Sequence, residues 1–122
     1  MTDIYREEIL EHWQNPLNFG EMPDADLVID QINPLCGDEV RFYFKIKNNK
    51  VAGVSFVGNG CAISIASASI LSEFIKGRPI SFLAKLTGKD VLGLLGAPVA
   101  PARLKCVFLP LEAIKKLATS KN

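Results

Sequence analysis

The sequence is poor in histidine and tryptophan, with one of each among 122 residues. It also contains no apolar run near the ~20 residues that a membrane-spanning helix needs. A dominant charge of one sign is missing too: 14 Lys and Arg against 13 Asp and Glu leave a net charge of +1. That balance removes the electrostatic case for nucleic acid or an acidic lipid surface as a partner. The N-terminus, MTDIYREEILEHW, is acidic and amphipathic and lacks the basic-then-apolar order of a secretory signal. A cytoplasmic chain, or the mature form of an imported one, is expected. Cysteine is scarce as well. Only Cys36, Cys61 and Cys106 are present, an odd number that speaks against a disulfide framework in a reducing compartment. Thiol chemistry or metal binding is then the open question.

What is present suits one compact domain over residues 1–122, because 48% hydrophobic content is enough to fill a core. Ile4, Ile9, Leu10 and Trp13 recur at helical spacing behind Thr2 and Asp3, either of which suits a cap, and Asn15-Pro16 and Gly20 end the pattern. Residues 26–32 read as an edge strand. Val40, Phe42, Phe44 and Ile46 alternate with Arg41, Tyr43, Lys45 and Lys47, the period of a strand with one face buried. Asn48-Asn49 suits a hairpin turn, and a third strand over Val51–Val57 is expected to break at Gly53.

The second half reads as helical. From Ala62 onward, Ile63, Ala66, Ile70, Leu71 and Phe74 are expected to share one side, with closure at Gly77. Short helices follow from Pro79 to Leu86 and from Lys89 to Leu95. Leu104, Phe108, Leu111, Ile114 and Leu117 mark a last helix, which Pro110 should kink or break. Strands followed by helices predict an α+β fold, a three-stranded antiparallel sheet packed against helices.

Each cysteine falls at an element end: Cys36 before the second strand, Cys61 between the third strand and its helix, Cys106 after Pro98 and Pro101. Thiolates suit Zn²⁺, iron and iron–sulfur clusters, and Asp38 offers a harder ligand two residues from Cys36. Gly37 permits a tight turn between them, and Gly58 and Gly60 allow close backbone approach beside Cys61. No pair forms CxxC, so spacing alone leaves inert core cysteines and metal ligands both open. The Ser64, Ser67, Ser69 and Ser72 set has no accompanying general base and reads as small residues for close helix packing.

The segments EHWQNPLNFG (Glu11–Gly20), NPLCGDE (Asn33–Glu39), GNGCAISIASAS (Gly58–Ser69) and RLKC (Arg103–Cys106) resemble, in order and along nearly the whole chain, the U-type iron–sulfur assembly proteins: IscU, SufU and the N-terminal part of NifU. The resemblance implies Cys36, Asp38, Cys61 and Cys106 as ligands of a transient [2Fe–2S] cluster, iron or Zn²⁺. It further implies a cysteine desulfurase as sulfur donor and apo iron–sulfur proteins as recipients. A non-enzymatic scaffold is the leading expectation; the alternatives are a zinc-dependent, SufU-like sulfur acceptor and, behind it, a structural zinc module. His12 and Trp13 are read as helix packing and turn entry rather than ligands, and Tyr5, at a position that the resemblance links to self-association, as a residue of the amphipathic helix that needs no such role.

Two features mix the marks of the subgroups. Lys105 stands where the IscU-like members that this chain resembles carry a histidine ligand, and an ammonium beside thiolates would stay charged and offset the anionic site rather than ligate. Only 44 residues, Ala62 to Lys105, separate Cys61 from Cys106, about the short IscU-like interval. The LPPVK chaperone signature is replaced by VAPAR (Val99–Arg103), which argues against a dedicated Hsp70 partner. With Lys105 and Arg103 before it and a helix starting nearby, Cys106 is expected to have the lowest thiol pKa and to accept the persulfide sulfur.

Overall fold

The structure, a computed structural model, describes residues 3–34, 37–96 and 99–120. Cys36, Thr2 and Pro98 lie outside the described residues, as does the side chain of Tyr5. The chain runs α1 (Asp3–Gln14), β1 (Leu27–Asn33), β2 (Asp38–Lys47), β3 (Lys50–Asn59), α2 (Ala62–Ile75), α3 (Ile80–Ala84), α4 (Gly88–Leu95), a 3₁₀ turn (Pro101–Arg103) and α5 (Leu104–Ser120). The strands form an antiparallel sheet in the order β1-β2-β3, so the expected α+β meander is the fold observed.

Strand parity sorts the two faces. Ile29, Phe42 and Phe56 lie opposite one another, as do Leu27, Phe44 and Val54. The phenylalanines of these rows are fully buried, and the Phe42 ring stacks on both Phe44 and Phe56. Helices α2 and α5 cover this face, and α1, α3 and α4 pack around them. The loop after α1 guards the free edge of β3: the Gly20 N–H donates to the Phe56 carbonyl, and the Phe56 N–H to that of Asn18. Backbone groups on an edge strand are thereby paired rather than left to another chain.

The Asn48-Asn49 turn is as expected, with φ of 54° and 60°, the pair of positive values that a tight hairpin needs. Three expectations are corrected. Strand β3 is not broken at Gly53, which pairs with Lys45; the register instead shifts at the next step, between Lys45 and Ile46, and the strand runs on to Asn59. Helix α2 has no single apolar side. Leu71 and Ala66 are buried as expected, but Ile63, Ile70 and Phe74 are half-buried, while Ile65, Ala68, Ser69, Ser72 and Ile75 are buried. The outer stripe, Ile63, Ile70 and Phe74 with exposed Glu73, is itself mostly apolar, so no polar period marks which side of the helix is buried. Finally, of the kink or break expected at Pro110, the break does not occur: the residue lies inside α5. Its neighbours Leu109 and Leu111 are buried, and packing along both flanks offsets the missing ladder bond.

Candidate metal centre

The buried face of β2 begins at Asp38. Asp38, Val40 and Phe42 alternate with exposed Glu39 and Arg41, so the parity that buries two apolar side chains also carries a carboxylate under the helices. Asp38 is 7% exposed. Its neighbourhood is cut to fit by glycine: a Cβ on Gly60 would lie 2.8 Å from Asp38 Cγ, and one on Gly58 would lie 2.9 Å from the Glu39 carbonyl oxygen. The role expected of these glycines, letting backbone approach a metal, is thus more specific. Gly60 admits the Asp38 carboxylate, and Gly58 lets β3 lie tight on β2 while Ile65 of α2 packs close above. Gly37 has φ +77°, the left-handed turn that leads into β2.

Cys61 is the N-cap of α2, and Cys106 sits in the first turn of α5. Their sulfurs and an Asp38 oxygen all lie within 4.8 Å of one another. Three residues 68 positions apart at the extremes therefore meet at one end of the sheet. The fourth expected ligand, Cys36, is outside the described residues, though the loop that carries it joins β1 to β2 beside Asp38. A tetrahedral ion with bonds of about 2.0–2.3 Å holds its ligands roughly 3.3–3.8 Å apart, so this grouping fits one ion after a small contraction. Two thiols and a carboxylate are donors that zinc or iron accepts.

A residue that sequence reasoning missed stands in the middle. The Ser64 hydroxyl donates to Asp38 Oδ2 at 2.7 Å and lies 3.3 Å from the Cys106 carbonyl oxygen and 3.6 Å from Cys61 Sγ. The available signal was its position three residues after Cys61, which puts both on the same face of the helix start.

The electrostatics reverse one expectation. Burial pushes the Cys106 thiol up, and the neighbouring Cys61 and Asp38 add to this, to about 12. For Cys61, burial also acts upward, but the Ser64 amide and hydroxyl, the Cys106 thiol and the Ile63 amide outweigh it and the thiol falls below its ordinary value. The helix N-terminus that stabilises a thiolate is that of α2, and it serves Cys61. Burial likewise opposes ionisation of Asp38, yet Ser64, the Cys61 amide and both thiols hold its carboxyl below the ordinary range. Lys105 is exposed. It lines a shallow hollow with Ile32, Asn33, Pro34, Leu109 and Glu112, and among the described residues no ion pair joins it to the centre. Its expected role in offsetting the site's charge has no described contact behind it.

His12 is remote from the centre: its Nδ1 is 2.7 Å from Ser69 Oγ, which also accepts the Leu17 N–H. Asn18 reaches Ser72 in the same way. These serines tie α1 and its following turn to α2, while Ser67 is buried with no partner atom described. Among the described residues, no helix is long and apolar enough to cross a membrane.

Comparison with known proteins gives a consistent result. The family model for the NifU-like N-terminal domain matches residues 4–120. The chain is 36% identical to the zinc-dependent sulfurtransferase SufU of Bacillus subtilis, across 95% of this chain and 90% of that protein. It is 38% identical to the iron–sulfur cluster assembly scaffold protein IscU of Aquifex aeolicus, across 93% of this chain and 73% of that one. Among solved structures, a protein of Fervidobacterium islandicum described as an iron–sulfur cluster assembly scaffold for the SUF system superposes with a TM-score of 0.78 at 27% identity, covering 93% of this chain and 96% of its own.

Proposed function

This chain belongs to the NifU-like N-terminal domain family, and on that premise we propose that it is a metal-held sulfur acceptor serving iron–sulfur cluster assembly. The observation that carries the reading is the convergence of Asp38, Cys61 and Cys106 within 4.8 Å; Cys36, expected from the sequence, would supply the fourth ligand. A bound Zn²⁺ would keep the thiols deprotonated and unreactive until a partner docks. The partner is a cysteine desulfurase carrying a persulfide. In the transfer, a thiolate of this chain attacks the outer sulfur of that persulfide. A new S–S bond forms on the acceptor, and the desulfurase cysteine leaves as its thiolate.

Cys61 is our choice for the attacking thiol. It is half-buried at a helix start, whereas Cys106 is 6% exposed and its thiol is pushed up to about 12. The acceptor role expected for Cys106 rested on a low pKa that burial denies it. Asp38, an oxygen ligand among sulfurs, is the contact most readily exchanged, which suits a site that must open.

A second reading is favoured by the 44-residue interval between Cys61 and Cys106. In it the same ligands assemble a [2Fe–2S] cluster from iron and the delivered sulfur and pass it to apo-proteins, and the protein is a scaffold rather than an enzyme. One experiment separates the readings: metal analysis of the purified protein beside anaerobic reconstitution with iron, cysteine and a desulfurase. Stoichiometric zinc, faster desulfurase turnover and no cluster support the acceptor. A visible cluster that transfers to an apo-ferredoxin supports the scaffold.

A further inference from the structure

We propose that Ser64 is a positioning residue that fixes which oxygen of Asp38 faces a bound metal ion, and that Pro110 provides the hydroxyl with a second acceptor. The inference rests on the reading that Asp38, Cys61 and Cys106 hold a metal ion.

Ser64 is 4% exposed, and its hydroxyl has one proton to give. The shortest contact is to Asp38 Oδ2, at 2.7 Å. With Oδ2 taken as an acceptor, the carboxylate presents Oδ1, the oxygen nearer to Gly60, where a Cβ would come within 3.0 Å of it. A carboxylate held in this way binds a metal through one oxygen and keeps a fixed orientation. Hydrogen bonds to metal-ligating groups act in this manner generally, and their loss costs about 10–100-fold in affinity.

The competing acceptor has a covalent origin. In an α-helix the Cys106 carbonyl would accept from the N–H four residues later, but that residue is Pro110, which has none. The carbonyl oxygen lies 3.3 Å from Ser64 Oγ. One buried hydroxyl thus reaches the carboxylate and the backbone of another ligand, and it lies 3.6 Å from the sulfur of the third. When its proton turns to Cys106, Asp38 loses its orienting bond.

The test is competition for Zn²⁺ against a chromogenic chelator, with Co²⁺ absorption as a second readout, on the full chain. Ser64→Ala is expected to lower Zn²⁺ affinity about 10-fold while leaving the thiolate-to-cobalt charge-transfer band intact, because the thiolate count is unchanged. In an Asp38→Ala background the same substitution should change affinity by less than about 2-fold, since its route is gone. Pro110→Ala, which returns an N–H to the Cys106 carbonyl, should raise affinity by roughly 2-fold as the Ser64 proton commits to Asp38.

Wild-type affinity in Ser64→Ala would overturn the positioning role. So would a 10-fold loss that persists without Asp38, which would show that Ser64 acts through packing or Cys61. Unchanged affinity in Pro110→Ala would remove the second acceptor from the account. Failure of the unmutated protein to bind either ion would instead overturn the metal centre beneath it, and the two failures are therefore distinct.

Discussion

The two ends of the β2–β3 hairpin are built on different principles. At the closed end the turn itself is local: Asn48 and Asn49 are adjacent and both at positive φ, and the one outside bond to the pair is backbone, from the Ile80 N–H to the Asn49 carbonyl oxygen among the described residues. At the open end, Asp38, Cys61, Ser64 and Cys106 come from a strand, two helix starts and the turn between strand and helix. There, polar groups are buried next to one another, and each shifts the ionisation of its neighbours. Buried polar clusters are costly unless fully partnered, so the open end is poised to gain from a bound cation while the closed end is indifferent to one.

The largest expected effect sharpens that contrast. Zn²⁺ at 100 times its dissociation constant should stabilise the fold by about 2.7 kcal/mol and raise the melting temperature by about 10 °C. A melting curve unmoved by zinc or by chelator would show that the open end is not coupled to folding. Next, Gly60→Ala places a methyl 2.8 Å from Asp38 Cγ and should weaken zinc binding about 10-fold or more, as read by chelator competition. Wild-type affinity in this variant would mean that the carboxylate position is unimportant.

A third measurement divides the open end itself. In metal-free protein at pH 8, iodoacetamide should modify Cys61 about 10-fold faster than Cys106, because only the thiolate reacts; peptide mass spectrometry gives the ratio, and equal rates would cancel the assigned difference. The same inequality has a pH signature. An unfolded cysteine titrates near 8.5, whereas Cys106 in the fold is pushed up to about 12. Its contribution to stability is therefore complete below the unfolded value and is lost as pH rises through the folded one. Asp38, held low, behaves oppositely: its contribution is present above about pH 4 and is lost as pH falls. Urea midpoints at pH 8 and pH 11 should show the alkaline loss in wild type and not in Cys106→Ser.

The smallest effect belongs to the closed end. Asn49→Ala puts alanine at φ 60° and should cost about 1 kcal/mol in urea unfolding, with no change in zinc affinity. A change in affinity would show that the hairpin ends communicate.

Much of the fold was legible because its signals are local. Period-two alternation marked β2, the asparagine pair marked the turn, and Gly77, at positive φ, marked a helix end. The period also extended to Asp38, one repeat before Val40, which is why a carboxylate lies on the buried face. Helix α2 was only partly legible, since its outer stripe carries Ile63, Ile70 and Phe74, apolar residues that hide which side is buried.

By itself, the sequence determined the element order, the chemical identity of the donors and their placement at element ends, because turn chemistry and periodicity act over a few residues. Only the tertiary structure decided which thiol is the more acidic and that Ser64 belongs among the donors. Thiol acidity depends on burial and on charges brought close through space. Lys105 adjoins Cys106 in sequence yet is exposed, while burial first, and then Cys61 and Asp38 from far along the chain, push the Cys106 thiol up. Ser64 gains its place from a carbonyl that Pro110 cannot bond and a carboxylate that Gly60 admits, contacts that exist only once β2, α2 and α5 have packed.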